Sequence, residues 1–334
     1  MAMHIDTIVV IGWQPSSRRS ESFARHVGAK LFLIHYLKFK YPPLAPLKYL
    51  LQSAVTFKVL IRERPRILVV ENPPPFLALA AYCFKAVSGG RMSLVIDSAT
   101  GVFYEPKWRW FQWLFRSLAR AASMNIVTNE PLAGILRRWG ACAFVLEDRI
   151  PDLPAVKTLE LSKAFTVAVV NTFSFDEPVE EICAAADRLP EARFYVTGNV
   201  ARAKKEVLRR APRNVTFTGF LPEGDYFSLL GSADCVMVLC TVDHTLCCGM
   251  YEALALGTPL VVSDWGVVRA YFNRGTVYVE NTPAAIIEGV RRMMAEGGRL
   301  RGQMRTLKEE RLAAWKEKCE SLMRLLEGPD EQKS

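Results

Sequence analysis

Between Asp243 and Ser263 the chain sets a polar run, Asp243-His244-Thr245, ahead of a short apolar helix that carries one acid, Glu252. Its neighbours are Met250, Tyr251, Ala253, Leu254, Ala255 and Leu256. A carboxylate in such surroundings needs hydrogen bonds to replace the water it loses. Two partners suit it. Glu252 can reach back to the start of its own helix, as the fourth residue of a capping box does. It can equally take hydroxyls of a bound ribose, to which it would make charge-assisted hydrogen bonds. The residues just before it suit an anion. The first N–H groups of a helix have no partner inside it, so a diphosphate could accept from the turn at Cys248, Gly249 and Met250. Gly249 has no side chain to keep a ligand from the main chain. The residues alone leave both roles of Glu252 open.

The elements around this segment say where it must lie. Cys235 to Cys240 is a short apolar run, as in a strand covered on both faces. Ligands of open α/β sheets collect beyond the carboxyl ends of such strands. The rest of the chain alternates in the same way. Strands are predicted at 5–12, 31–35, 66–71, 92–97, 125–128 and 144–146, then at 166–170, 193–196, 215–218, 235–240 and 276–279. Helices are predicted at 18–29, 44–62, 108–122 and 132–139, at another stretch ending at Val87, then at 179–188, 201–210, 225–231, 283–295 and 300–326. Such alternation implies parallel sheets with helices on both faces. With 334 residues, the chain suits two domains better than one core. Two prolines in Asp148-Arg149-Ile150-Pro151-Asp152-Leu153-Pro154 mark the boundary. The expected division is therefore 1–150, 151–300 and a terminal helical segment, 301–334.

Charge divides along the same line. Residues 1–150 carry 20 Lys and Arg against 9 Asp and Glu, whereas residues 151–334 carry 23 against 25. The whole positive excess lies in the first half, which points to a partner surface bearing phosphates. Lys38-Phe39-Lys40-Tyr41-Pro42-Pro43 and Lys107-Trp108-Arg109-Trp110-Phe111-Gln112-Trp113-Leu114-Phe115-Arg116 mix cations with aromatic rings, as at an anionic membrane interface. In the second segment Trp110, Trp113 and Leu114 also have the spacing of a stripe packed on the sheet. No recognition helix or RNA-binding signature accompanies the charge, so nucleic acid is not expected. The apolar stretch from Pro43 to Ile61 is broken by Lys48, Gln52 and Lys58, which argues against a spanning helix. Met1 to Gly12 reads as a strand and not as a secretion signal. The 8 cysteines follow no regular spacing and read as reduced thiols. Together these features suit a cytoplasmic protein, peripheral at the inner face of the plasma membrane. The 4 histidines and the acids show no metal-site spacing, and no metal or cofactor is expected. Neither half has the full Gly-x-Gly-x-x-Gly turn of a dinucleotide-dependent dehydrogenase.

The segment Asp243–Trp265 resembles the donor-binding motif of family-4-like, group 1 glycosyltransferases of the GT-B fold. Glu252 matches the second of that family's paired acids, and Gly257-Thr258-Pro259-Leu260-Val261-Val262-Ser263 matches the strand that follows. His244, with Asp243 beside it, stands where the first acid would be. The resemblance implies two Rossmann-like doubly wound domains facing across a cleft, with a terminal helix crossing back to the first. It also implies sugar transfer from a UDP- or GDP-sugar to a lipid-linked or surface-glycan acceptor.

By the same resemblance, Asp243, Thr245, Cys248, Gly249, Met250 and Glu252 would hold the donor, with Asn171, Thr172 and Gly198 at neighbouring strand ends. Phe220 and Leu221 would meet the base, and His244 would act on the departing phosphate. Asp97 is the candidate general base, with capping of the next turn as its other role. Gly12, Trp13, Ser98 and Thr100 are loop candidates on the acceptor side. A sugar-nucleotide epimerase and a non-catalytic membrane-associated adaptor are the alternatives on this fold.

Overall fold

The computed structural model describes residues 8–36, 44–89 and 92–327. It divides into two compact units: Met1–Arg149 with Trp315–Ser334, and Ile150–Ala314.

The first unit runs β1 (Ile8–Gly12), α1 (Arg18–Val27), β2 (Lys30–Leu33), α2 (Ala45–Glu63), β3 (Ile67–Asn72), α3 (Pro75–Val87), β4 (Ser93–Ser98), α4 (Gly101–Tyr104), α5 (Gln112–Ala121), β5 (Met124–Val127), α6 (Glu130–Arg138) and β6 (Ala143–Val145). The second continues with β7 (Phe165–Val169), α7 (Val179–Asp187), β8 (Ala192–Thr197), α8 (Lys205–Arg209), β9 (Val215–Gly219), α9 (Glu223–Ser232), β10 (Cys235–Val238), α10 (Cys248–Leu256), β11 (Leu260–Ser263), α11 (Gly266–Tyr271), β12 (Thr276–Val279) and α12 (Pro283–Glu327). Each unit holds one six-stranded sheet, ordered β2-β1-β3-β4-β5-β6 and β12-β11-β10-β7-β8-β9. All of their pairings are parallel.

The apolar strands have the expected cause. β3 and β10 are buried along their whole length, because helices cover both faces of each sheet. The order reverses beside β1 in the first sheet and beside β7 in the second, so each unit has a switch point where ligands of this architecture collect.

Four expectations need correction. Residues Pro106–Phe111 form a 3-10 segment ahead of α5. Within α5 the inward face is that of Phe115, Leu118 and Ala119. Trp110 and Trp113 are left 82% and 69% exposed, so they are not the buried stripe their spacing allowed. The predicted helix at 201–210 is likewise a 3-10 turn, Val200–Arg202, followed by α8. The helices predicted at 283–295 and 300–326 are one helix of 45 residues. Gly297 and Gly298 lie inside it, and burial of Leu300, Met304 and Leu307 outweighs their low helix propensity. The helices α4 and α11 were not foreseen. Residues 5–7 of the first predicted strand and the Lys38–Pro43 segment lie outside the described residues.

The last turns of α12 belong to the first unit. Trp315, Cys319, Leu322 and Leu326 pack with Val10, Phe23, Val69 and Val95 in one cluster. The Trp315 indole N–H donates to the Glu147 carbonyl at 2.9 Å, and Lys318 Nζ donates to both oxygens of the Glu147 carboxylate. Trp315 is 5% exposed, and its ring meets His26 edge-on. Trp315→Ala removes this anchor and is expected to cost about 3 to 5 kcal/mol. Denaturant unfolding of wild type and variant checks it; a change below about 1 kcal/mol would show that the anchor matters little.

Candidate active site

At the carboxyl edge of the second sheet, three turns crowd together. The first follows β7. Asn171 is buried; its N–H donates to Thr197 Oγ1 at 3.3 Å, and its Oδ1 accepts from the Phe173 N–H at 2.7 Å. Phe173 takes a φ of 57°, and Glu177 closes the turn by accepting from the N–H groups of Thr172 and Ser174, both at 2.8 Å. Asn171 Oδ1 and the Thr172 N–H and hydroxyl are therefore engaged within their own loop. Glu177, the residue that organises it, gave no sequence signal beyond an acid in a polar stretch.

The second turn follows β8. Gly198 has a φ of 109°, and a side chain there would overlap the Asn171 carbonyl oxygen. Only glycine allows that conformation and that approach together.

The third turn leads into α10. A Cβ on Gly249 would come within 2.8 Å of Val170 Cγ1, so this glycine lets the helix start press against the end of β7. No side chain caps the amino end of α10. The capping-box role considered for Glu252 would need a reciprocal cap, which Cys247 does not provide. Glu252 is 5% exposed and accepts from the Tyr226 hydroxyl at 2.6 Å. Tyr226 lies on α9, one turn past the β9 loop, and the sequence reading missed it. An aromatic hydroxyl on the helix after a strand end was its only signal.

The loop between β10 and α10 holds the remaining candidates. His244 has a φ of 65°, a conformation few non-glycine residues adopt, and its N–H donates to Asp243 Oδ1 at 2.5 Å. The imidazole Nδ1 lies 3.6 Å from the same carboxylate oxygen, so Asp243 holds the backbone by a hydrogen bond and the ring only by proximity of charge. Asp243, His244 and Thr245 are all half-buried. Cys248 is exposed, whereas Met250 is 1% exposed and packs in the core. Behind the loop, a hydrogen bond from the Cys247 thiol lowers the Cys240 pKa and raises that of Cys247. After β9, Phe220 is 86% exposed while Leu221 packs against the core.

The first unit's carboxyl edge is organised by charge. Asp97, at the end of β4, accepts from Arg19 Nε and Nη2, both at 2.8 Å. Arg19 Nη1 also donates to Asp148 at 2.5 Å, and Nη2 to the Leu146 carbonyl at 3.0 Å. Burial works against the Arg19 charge, but Asp97 and then Asp148 outweigh it and push its pKa upward. Asp97 is thus a fastening residue with both oxygens committed. The ion pair engages one lone pair on each carboxylate oxygen and gives Asp97 this structural role.

The acceptor-side candidates are also largely structural. Trp13 is 3% exposed, stacks on Tyr49 and donates its indole N–H to Thr56 Oγ1 at 3.0 Å, so it is core and not a loop contact. Ser98 is buried, and its Oγ accepts from Asn72 Nδ2. Thr100 is half-buried at the start of α4. At Gly12 a side chain would overlap the Glu71 carboxylate. Glu71, unforeseen from sequence, accepts from Gln14 Nε2 at 2.7 Å and from the Ser20 hydroxyl, tying the loop after β1 to β3. Among the described residues, no three His, Cys, Asp or Glu side chains gather as metal ligands.

Comparison with known proteins bears on the second unit most directly. The family model for glycosyl transferases group 1 matches residues 155–311. This unit is a group 1 glycosyl transferase domain. Solved structures extend the likeness to the whole chain. Sucrose-phosphate synthase from Thermosynechococcus elongatus superposes with a TM-score of 0.70 at 14% identity, over 96% of this chain and 98% of its own. Anabaena HepE, solved in complex with UDP and glucose, gives 0.70 at 10% identity, over 95% and 99%. A Listeria monocytogenes protein described as a UDP-N-acetylglucosamine 2-epimerase gives 0.62 at 11%, over 95% and 97%. At such identities the likeness carries the fold, which is GT-B. No curated protein matches the chain in sequence.

Two outcomes follow from the contacts of Glu71 and Gly198. Burial pushes the Glu71 pKa upward, against hydrogen bonds from Ser17, Ser20 and Gln14 that lower it. The folded state therefore holds the proton more tightly than the unfolded chain. Wild type should lose stability relative to Glu71→Gln as pH rises above the ordinary glutamate value of 4.5. Unfolding of both proteins across that range checks the slope, and a pH-independent difference contradicts it. Gly198→Ala is expected to destabilise by more than about 1 kcal/mol, since the variant meets both a disfavoured φ and a carbonyl oxygen; an unchanged melting temperature would refute the close approach.

Proposed function

We propose that the chain moves a hexosyl group from a UDP- or GDP-sugar to a lipid-linked or surface-glycan acceptor, without a metal ion or other cofactor. The observation that carries this reading is Glu252, a buried acid at the carboxyl edge of the second sheet, one turn inside a helix whose amino end has no side-chain cap. The Tyr226 hydroxyl orients the carboxylate so that it can take a ribose hydroxyl. The first N–H groups of α10 would donate to the diphosphate, with Gly249 allowing close approach. Exposed Phe220 would lie against the base. That Anabaena HepE was solved with UDP and glucose supports a nucleotide-sugar donor on this fold.

In the transfer, an acceptor hydroxyl forms a bond to the anomeric carbon as the bond from that carbon to the diphosphate oxygen breaks, and the hydroxyl proton passes to the departing diphosphate. The helix N–H groups and His244 stabilise the charge that develops on the departing diphosphate. His244 suits that role because Asp243 holds it at the loop tip. Asp97, held on both oxygens by Arg19, is not the base in this reading.

The acceptor and a peripheral contact with an anionic membrane are assigned to the first unit. The exposed Trp110 and Trp113, set among Lys107, Arg109 and Arg116, support that contact. No helix among the described residues is long and apolar enough to cross a membrane.

Glu252→Ala should weaken binding of a UDP- or GDP-sugar about 10- to 100-fold, the worth of one hydrogen bond to a charged group. Calorimetric titration reads it, and unchanged affinity would remove the ribose role. His244→Ala should lower kcat more than it raises KM, because the interaction strengthens as the phosphate departs. A pure KM effect would count against that part.

A further inference from the structure

Helix α2 buries a row of polar side chains beside its apolar ones. Its polar residues Lys48, Gln52 and Thr56 follow one another at four-residue intervals and are 5%, 0% and 0% exposed. Gln52 donates to the Ile34 carbonyl and Thr56 accepts from Trp13. The opposite face presents Leu44, Leu47, Leu50 and Leu51, between 43% and 68% exposed. One exposed leucine is ordinary, whereas four on one helix face form a patch that calls for an apolar partner.

Beside that face lies a groove of about 540 Å³, lined by Ala45, Pro46, Tyr49, Phe76, Trp108 and Phe111, with Lys107 at its rim. This volume falls within the range of about 300 to 1,000 Å³ typical of small-molecule sites. Its walls come from the start of α2, the start of α3 and the 3-10 segment before α5. These segments follow β2, β3 and β4, so the groove opens at the carboxyl edge of the first sheet, where ligands of such sheets bind. The lining is carbon almost throughout, which suits a hydrocarbon and not a sugar. At the rim Lys107 lies over the Trp108 ring and pairs with Glu105 at 2.5 Å, Arg109 follows it, and residues 1–150 carry a net charge of +11.

We propose that this groove binds the hydrocarbon chain of a phosphorylated lipid, with the phosphate at the Lys107 and Arg109 rim, and that this lipid carries the acceptor. The proposal rests on the transferase reading and narrows its acceptor to the lipid-linked class. The exposed leucines of α2 and Trp110 would continue the apolar surface from the groove mouth toward the bilayer that supplies the lipid.

The test uses the full chain and farnesyl phosphate below its micelle concentration, titrated by calorimetry against geranyl phosphate and inorganic phosphate. Affinity should rise from inorganic phosphate to geranyl to farnesyl phosphate. Ala45→Phe, which fills the groove from a half-buried position, should weaken farnesyl phosphate binding about tenfold or more. Val87→Ser, at the exposed far end of α3, should leave that affinity unchanged. UDP is titrated into the same proteins, so a failure of the donor reading is seen separately and a misfolded variant is recognised. The chain-length series on wild type needs no variant at all. A flat series overturns the proposal, as does equal binding by Ala45→Phe. Retention on phosphatidylglycerol vesicles without farnesyl phosphate binding overturns it too, and would make the face a general bilayer contact.

Discussion

A carboxylate taken out of water has to be given hydrogen bonds, and the second unit's binding edge is arranged around that requirement at Glu252. Tyr226 supplies one from α9, so the position of α10 depends on the helix that follows β9. The same crowding explains the glycines. Gly198 and Gly249 each sit where a side chain would strike the end of β7, at Asn171 and Val170. Three turns can therefore converge above three neighbouring strands, β10, β7 and β8. A single larger residue at either glycine would push one turn away and open the edge.

The two sheet edges solve the same problem in opposite ways. In the first unit Arg19 satisfies Asp97 and Asp148, and Gln14 and Ser20 satisfy Glu71, so the polar groups there are largely spent on fastening loops. In the second, Glu177 closes the turn after β7, but the amino end of α10 is left without a side-chain cap. Partial positive charge at a helix start suits a phosphate. The apolar groove beside α2 has the complementary character and lacks that polarity.

The alternation of strands and helices was legible because buried parallel strands read as short apolar runs, and β7 and β10 fall where such runs stand. Glu252 was legible for a similar reason, as one acid in an apolar helix. What escaped were partners brought in from distant sequence. Tyr226 is 26 residues from Glu252, and Glu71 is 51 residues from Ser20. The ion pair of Asp97 escaped because a carboxylate at a strand end looks the same whether it awaits a proton or holds a guanidinium, and Arg19 lies 78 residues away. The tryptophans misled for a local reason: a second apolar stripe, through Phe115 and Leu118, runs along the same helix and is the one that packs inward. The buried polar row of α2 was visible only as Lys48 and Gln52 interrupting an apolar stretch, with no hint that the interruptions face inward.

Hydrogen–deuterium exchange with and without UDP, and in parallel with GDP, tests the central claim most directly. If the donor is held at the carboxyl edge of the second sheet, one of the two nucleotides should slow exchange at the first amides of α10 and in the 241–247 loop, with the turn at Gly198 following. Protection confined to the first unit, or none with either nucleotide at saturating concentration, would contradict it.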